Sequence, residues 1–325
     1  MRFESPGFFD LQVNGFAGVD FNDPLATPED LHRALDALRR TGVTRCLPTL
    51  ITSSPERFAQ CARNLLALNH PAVAGLHMEG PYISDDDGPR GAHPRKHVCA
   101  ASREDFLRRQ AAAEGRIRLV TLAPEVPGTL AMTEWLAEHG LLVAIGHTAA
   151  SPEQIRDTVN AGAKLSTHLG NGCAGTLPRH PNLIWEQLAE DKLTASLIVD
   201  GHHLPPATVK SFVRAKTPSR TVLVTDAIAA AGCPPGEYVL NGERVVLDAH
   251  GRVAPPGKPW LAGSALTMDA AIANLARFTG LSLHQILPLA STQPAALLGE
   301  KPVGRVALEW NVRGEKFSTV EVIDA

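Results

Sequence analysis

From Phe8 to Asp226, apolar residues fall into short runs separated by longer segments in which they recur at helical spacing. The runs are Phe8–Val13, Thr44–Leu50, Val73–Glu79, Ile117–Leu122, Leu142–His147, Lys164–Leu169, Ala195–Asp200 and Thr221–Asp226. They are rich in Val, Ile and Leu, as expected of strands buried on both faces. Helical patterns lie between most of them: Pro28–Thr41, Pro55–Asn69, Ser102–Glu114, Pro127–His139 and Ser151–Ala161. Ser151-Pro152-Glu153 reads as an N-cap followed by proline at the first helical position. Eight β/α units without a break predict one closed (β/α)8 barrel of the TIM type, spanning residues 6–299, rather than two domains.

Beyond Asp226 the texture changes. Segment Gly236–Val253 holds the turn signals Asn241-Gly242 and His250-Gly251 between short alternating runs, which predicts a β-hairpin insertion. Helix is expected again at Leu266–Phe278 and Leu283–Leu298, and strand at Val303–Ile323, so residues 300–325 read as a separate C-terminal strand segment. The longest irregular stretches, Ile83–Val98 and Gly170–Pro181, are candidate active-site loops, because barrels build their sites on such loops.

Composition narrows the function more than the fold. Net charge is −3 over 325 residues, with no basic excess that would point to nucleic acid or an anionic membrane. No apolar run approaches the roughly 20 residues of a membrane helix, and Met1-Arg2-Phe3-Glu4 lacks the start of a signal peptide. The five cysteines form no CxxC pair, so reduced thiols and a cytoplasmic protein are expected. No GxGxxG or P-loop suggests a nucleotide.

Ionisable residues collect at the C-terminal ends of the runs: His77 and Glu79, His147, His168, Asp200 with His202 and His203, and Asp226. In a barrel these ends face one mouth. One carboxylate, two imidazoles and a further aspartate there suit a divalent metal with a nearby base. A lone histidine at a strand end is more often a hydrogen-bonded structural residue, and Asp226 alone could cap a turn; several such ends in register favour the metal. His77 shares a strand face with Glu79 and is expected to support the site rather than bind metal.

At these residues the chain resembles the N-acetylglucosamine-6-phosphate deacetylase family of the amidohydrolase superfamily. The resemblance runs from Pro6 to about Gly299. It rests on Gly7-Phe8-Phe9-Asp10-Leu11-Gln12-Val13-Asn14-Gly15, Gly75-Leu76-His77-Met78-Glu79-Gly80-Pro81-Tyr82, Gly91-Ala92-His93-Pro94 and Gly146-His147-Thr148. It continues with Thr167-His168-Leu169-Gly170-Asn171-Gly172, Asp200-Gly201-His202-His203, Val224-Thr225-Asp226-Ala227 and Leu261-Ala262-Gly263-Ser264-Ala265-Leu266-Thr267-Met268.

The resemblance implies metal ligation by Glu79, His147 and His168, Asp226 as the base that later protonates the amine, and His93 holding the oxyanion. It implies substrate contacts from Ala92, Asn171, Gly172, Arg179, His203 and the backbone of Leu261, Ala262 and Gly263. Many superfamily members place His-x-His on strand one for a second metal; here Gln12 and Asn14 stand there, and amides are poor transition-metal ligands. One divalent metal is therefore expected, zinc in preference to iron.

The implied substrate is the amino-sugar phosphate N-acetylglucosamine 6-phosphate, and the implied assembly is a homodimer, since a phosphate contact in the family can come from a neighbouring subunit. Arg179 is either that phosphate ligand or an exposed loop cation. Family members carry a longer segment ahead of the position matching Asp10, so a reduced β satellite is expected. The loop after His168 departs from the family's form at Gly170 and Gly172-Cys173, where sugar and phosphate should lie. That keeps open a deacetylase or amidohydrolase acting on another N-acyl compound without phosphate. A metal-free barrel kept for binding is the remaining alternative.

Overall fold

The fold was obtained as a computed structural model, which describes residues 1–240, 243–311, 313 and 315–324. The barrel strands are β1 (Phe8–Val13), β2 (Val43–Ile51), β3 (Leu76–Glu79), β4 (Ile117–Leu122), β5 (Leu142–Ile145), β6 (Leu165–Ser166), β7 (Thr194–Leu197) and β8 (Thr221–Leu223). They pair in parallel in sequence order. The ring closes through a parallel bridge between Val13 and Ala227, with Asp226 N–H donating to Gln12 O at 2.9 Å and Asn14 N–H to Ala227 O at 2.7 Å. This is the expected (β/α)8 barrel.

The helices around it start where the sequence signals them. In α1 (Pro28–Arg39), α2 (Pro55–Ala67) and α5 (Pro152–Asn160), a Thr or Ser cap precedes proline, and the cap side chain accepts a first-turn N–H. Each also turns an apolar stripe inward; α1 buries Leu31, Ala34, Leu35 and Leu38, and truncating one such leucine costs about 2–5 kcal/mol. Next come α3 (Arg103–Ala112) and α4 (Thr129–Glu138), both at their expected positions. Two further helices, α6 (Leu183–Ala189) and α7 (Pro206–Lys216), were not anticipated. The expected Leu283–Leu298 helix is two pieces, Leu283–Ala290 and Thr292–Leu297, with Pro288 inside the first and Ser291 in non-helical backbone between them.

The β excursions also differ from expectation. Gly236–Leu240, Glu243–Leu247, Arg252–Ala254 and Gly263–Ser264 form a four-stranded antiparallel sheet rather than a single hairpin, over a small core of Ala230, Val245, Leu247 and Val253. The Asn241-Gly242 turn lies outside the described residues. The C-terminal strands Arg305–Asn311 and Lys316–Asp324 pair with each other. Arg2–Pro6 joins them as a third antiparallel strand, so the satellite sheet draws on both ends of the chain. Five residues with only Phe3 as a large apolar side chain carry too little alternation to announce that strand.

Candidate active site

Regular strand pairing takes in His77 and Glu79 at the end of β3 but stops short of the later ionisable residues. β5 ends at Ile145, β6 at Ser166 and β8 at Leu223, and His147, His168 and Asp226 follow on irregular backbone. All three have positive φ, 52°, 30° and 48° respectively, a conformation that non-glycine residues hold only when their surroundings over-determine it.

Each has its own restraint. Beyond His147, Glu125 accepts the Thr148 hydroxyl at 2.5 Å and the Ala149 N–H at 2.6 Å. His168 N–H donates to Ser196 Oγ at 2.7 Å. Ahead of Asp226, the Thr225 hydroxyl donates to Asp10 at 2.5 Å, and burial pushes that carboxyl up to about 7.

The backbone delivers three donors to one point. Glu79 Oε1 lies 3.3 Å from His147 Nε2 and 3.2 Å from His168 Nε2, and the two imidazole nitrogens are 3.0 Å apart. All three side chains are at least nine-tenths buried. His147 Nδ1–H donates to Pro89 O at 2.8 Å, which leaves the Nε2 lone pair facing inward. Gly172 closes over the same ring, where a Cβ would come within 3.0 Å of Nδ1.

Burial opposes ionisation of Glu79, yet His147, His168 and His93 hold its carboxyl well below the usual range. Despite its burial, His168 is raised above the ordinary imidazole value by Glu79. Two inward imidazoles and a carboxylate, drawn together by charge, fit a divalent cation. Two amides at the end of β1 brace the site as donors: Gln12 Nε2–H to Glu79 Oε1 at 2.8 Å and, one residue past the strand, Asn14 Nδ2–H to Asp226 Oδ1 at 2.7 Å.

Around this point opens a cavity of about 330 Å³, large enough for a small sugar. Glu79, His93, His147, His168 and Asp226 line it, with Ala92, Asn171, Gly172, His203, Leu261, Ala262 and Gly263. Burial and the Glu79 charge push Asp226 up to about 6. Burial brings His93 down to about 4; its Nδ1 meets the Thr52 hydroxyl at 2.8 Å, and its Nε2 is 3.6 Å from Glu79.

His203 rather than His202 faces the cavity. Asp200 receives the His203 Nδ1–H at 2.6 Å, whereas His202 turns away to His250 O at 3.0 Å. His77 stays beneath, bonded to Thr49 and Thr121 in the barrel interior, so it supports the floor and not Glu79 directly. Arg179 is exposed and is not among the lining residues, so within one chain the structure does not bring it to the site.

Sequence reasoning missed Asp20, Asn22 and Ile51 on the β1–β2 side of the cavity, and the Glu125 clamp. Asp20 and Asn22 lie in the loop between β1 and α1, and their place on a loop at the strand's C-terminal end was the available signal.

A second group, His32, Asp36 and His70, brings three such donors together between α1 and the turn after α2. His70 Nδ1 accepts the Ala72 N–H at 3.2 Å, so in the neutral ring Nε2 carries the proton and donates to Asp36 at 3.2 Å. That arrangement is a hydrogen-bonded clasp.

A barrel with a buried His/Glu/His group and an aspartate at its C-terminal rim is the architecture of a metal-dependent hydrolase. The amidohydrolase family profile matches residues 4–309, and the chain belongs to that family.

Among its relatives it is similar to an N-acetylglucosamine-6-phosphate deacetylase of Lysinibacillus sphaericus, 35% identical over 302 residues, covering 91% of this chain and 76% of the relative. It is equally similar, at 35% over 302 residues, to an N-acetylgalactosamine-6-phosphate deacetylase of Escherichia coli O157:H7, with 90% and 78% covered. The solved N-acetyl-D-glucosamine-6-phosphate deacetylase of Mycobacterium smegmatis superposes with a TM-score of 0.89 at 29% identity, covering 99% of this chain and 86% of that one. Among the described residues no helix is long and apolar enough to cross a membrane.

Proposed function

We propose that the protein hydrolyses the acetamide of N-acetylglucosamine 6-phosphate to glucosamine 6-phosphate and acetate. The observation that carries this is the meeting of Glu79, His147, His168 and Asp226 in one sugar-sized cavity. Glu79, His147 and His168 would hold a divalent cation, zinc by preference, which supplies a Lewis acid and an acidified water.

Asp226, ionised and oriented by Asn14, takes the proton of the attacking water. As the carbonyl oxygen gains charge, His93 Nε2–H donates to it, with Nδ1 held by Thr52. When the C–N bond breaks, Asp226 returns the proton to the departing nitrogen. One carboxylate thus serves as base and then as acid.

In this reading Asn171, Gly172, Ala92, His203 and the Leu261–Gly263 backbone hold the sugar phosphate. Arg179, on the outside of its own chain, serves the cavity of a second copy in a homodimer, so the phosphate site is complete only in the pair. A cytoplasmic compartment accords with five free thiols. The gluco substrate is preferred to the galacto epimer because most of the similar curated relatives carry the gluco name, although one equally similar relative carries the other.

Acetate release by the zinc-loaded protein tests the reading, with N-acetylglucosamine 6-phosphate, its galacto epimer and unphosphorylated N-acetylglucosamine as substrates. The phosphorylated gluco sugar should be fastest and the unphosphorylated one slower by about 10²-fold or more, given charge-assisted phosphate contacts. Equal rates with and without phosphate would move the assignment to another N-acyl compound.

A further inference from the structure

Asp20 lines the cavity, and the reaction scheme above makes no use of it. It ends the two-stranded excursion after β1, paired with Gly15. Its Oδ1 accepts the Asn22 N–H at 2.8 Å, and burial raises its pKa. Arg57, the cation it senses, spends Nε and Nη2 on Asn22 O at 3.0 and 2.8 Å. Asp20 is partly buried and faces the cavity, so its carboxylate can take a further donor there.

Its neighbours locate it relative to the acetamide. Next to its partner Gly15, Asn14 holds Asp226, which acts on the acetamide nitrogen. Asn22 Oδ1 accepts the Ile51 N–H, and the following residue, Thr52, holds His93, which acts on the carbonyl oxygen. Asp20 therefore lies on the wall beside the acetamide. The contacts read as serving the phosphate and the rest of the sugar (Asn171, Gly172, His203 and Leu261–Gly263) come from the loops after β6, β7 and β8.

We propose that Asp20 accepts a hydrogen bond from the hydroxyl on a ring carbon flanking the one that carries the acetamide, C1 or C3 of the sugar. The proposal rests on the amino-sugar reading given above. A carboxylate accepts and does not donate, so this wall takes a hydroxyl and repels a phosphate. C4 does not flank the acetamide carbon, so Asp20 treats the gluco and galacto epimers alike and recognises the 2-acetamido sugar common to both.

The test is kcat/KM for the zinc-loaded wild type, Asp20→Ala and Asp20→Asn with N-acetylglucosamine 6-phosphate and its 1-deoxy, 3-deoxy and 4-deoxy analogues. In the wild type, removal of the 1- or 3-hydroxyl should cost about 10- to 100-fold, the loss expected for a hydrogen bond to a charged group. In Asp20→Ala that penalty should vanish, so that parent and deoxy sugar converge. Asp20→Asn, close in size and able to keep the Asn22 bond, replaces the charged acceptor with a neutral amide and should shrink the penalty below about tenfold, which keeps the test open should the alanine variant prove insoluble. A penalty that survives substitution, or a uniform loss with all four sugars, overturns the role of Asp20 while the reaction stands. A wild type that releases acetate from none of them instead brings down the reaction assignment, and this proposal with it.

Discussion

Among the described residues, two groups gather a carboxylate and two imidazoles within 4.8 Å: Glu79, His147 and His168 at the barrel mouth, and Asp36, His32 and His70 on its outer face. By composition and proximity they are the same. They differ in where the protons sit. At the mouth, Pro89 O draws the His147 proton to Nδ1 and turns a lone pair toward the other donors. On the outer face, the Ala72 N–H occupies His70 Nδ1 and turns an N–H toward Asp36. They differ in exposure as well. The mouth side chains are 3–9% exposed, whereas His32 and Asp36 are 56% and 46% exposed, where water competes with any ligand. For His147 and His70, what neighbouring backbone does to the far nitrogen sets whether a lone pair or an N–H faces the other donors.

The comparison is broken most forcefully through the aspartates. Asp226→Asn should lower kcat by at least about 10³-fold, the scale of a lost general base, with zinc content by elemental analysis unchanged. Asp36→Asn should leave kcat within about twofold. The pH profile sharpens the same contrast. Asp226 must be ionised to accept a proton, and burial raises its pKa to about 6, while a bound cation favours the ionised form. Activity should therefore fall as pH drops through a value at or below about 6. An Asp226→Asn protein that keeps wild-type activity removes it as the base.

A smaller effect is expected one step away from the metal donors. Glu125 grips the backbone beyond His147 with both carboxylate oxygens, while His147 itself sits at φ 52°. Glu125→Gln can keep one of the two contacts as an acceptor and loses the other. The imidazole should then be held less firmly, and zinc affinity, measured by chelator competition, should weaken by about 10- to 100-fold. The melting temperature of the zinc-free protein should change little, because Glu125 holds only the rim residues Thr148 and Ala149 in these contacts. Unchanged affinity would mean that the rim keeps its shape without this clamp.

Much of the mouth was legible in the sequence because strand and helix periods are local. The eight runs could be counted, and Glu79, His147, His168, His203 and Asp226 all stand at their ends. The expected ends of β5, β6 and β8 ran two to three residues long, since strain at His147, His168 and Asp226 ends regular pairing before these residues and no propensity encodes that. Glu125, Asp20 and the amide donors Gln12 and Asn14 act across loops or between strands. A pattern read along the chain does not reveal contacts of that kind. Arg179 shows the same limit from the other side: its spacing after Asn171 placed it in reach, yet the loop carries it outward. The satellite strand Arg2–Pro6 depends on a partner three hundred residues away, as Arg2 pairing with Glu309 shows.

The smallest effect concerns the outer clasp and is read as stability. Burial lowers the His70 pKa, and the bond to Asp36 offsets this only in part. The folded state therefore binds its proton less readily than the unfolded chain does. The clasp's contribution is complete above the unfolded value of 6.5 and declines as pH falls below it, as far as the depressed folded value. Asp36, held below its ordinary value of 3.8, adds a further loss only below that pH. In melting curves from pH 7.5 to 5, the advantage of wild type over His70→Gln should shrink by about 1–3 °C. Elemental analysis should find one zinc per chain in both proteins. A second equivalent that disappears with His70→Gln would make the outer group a metal site after all, and hydrogen-bond direction would then fail as the feature separating the two clusters.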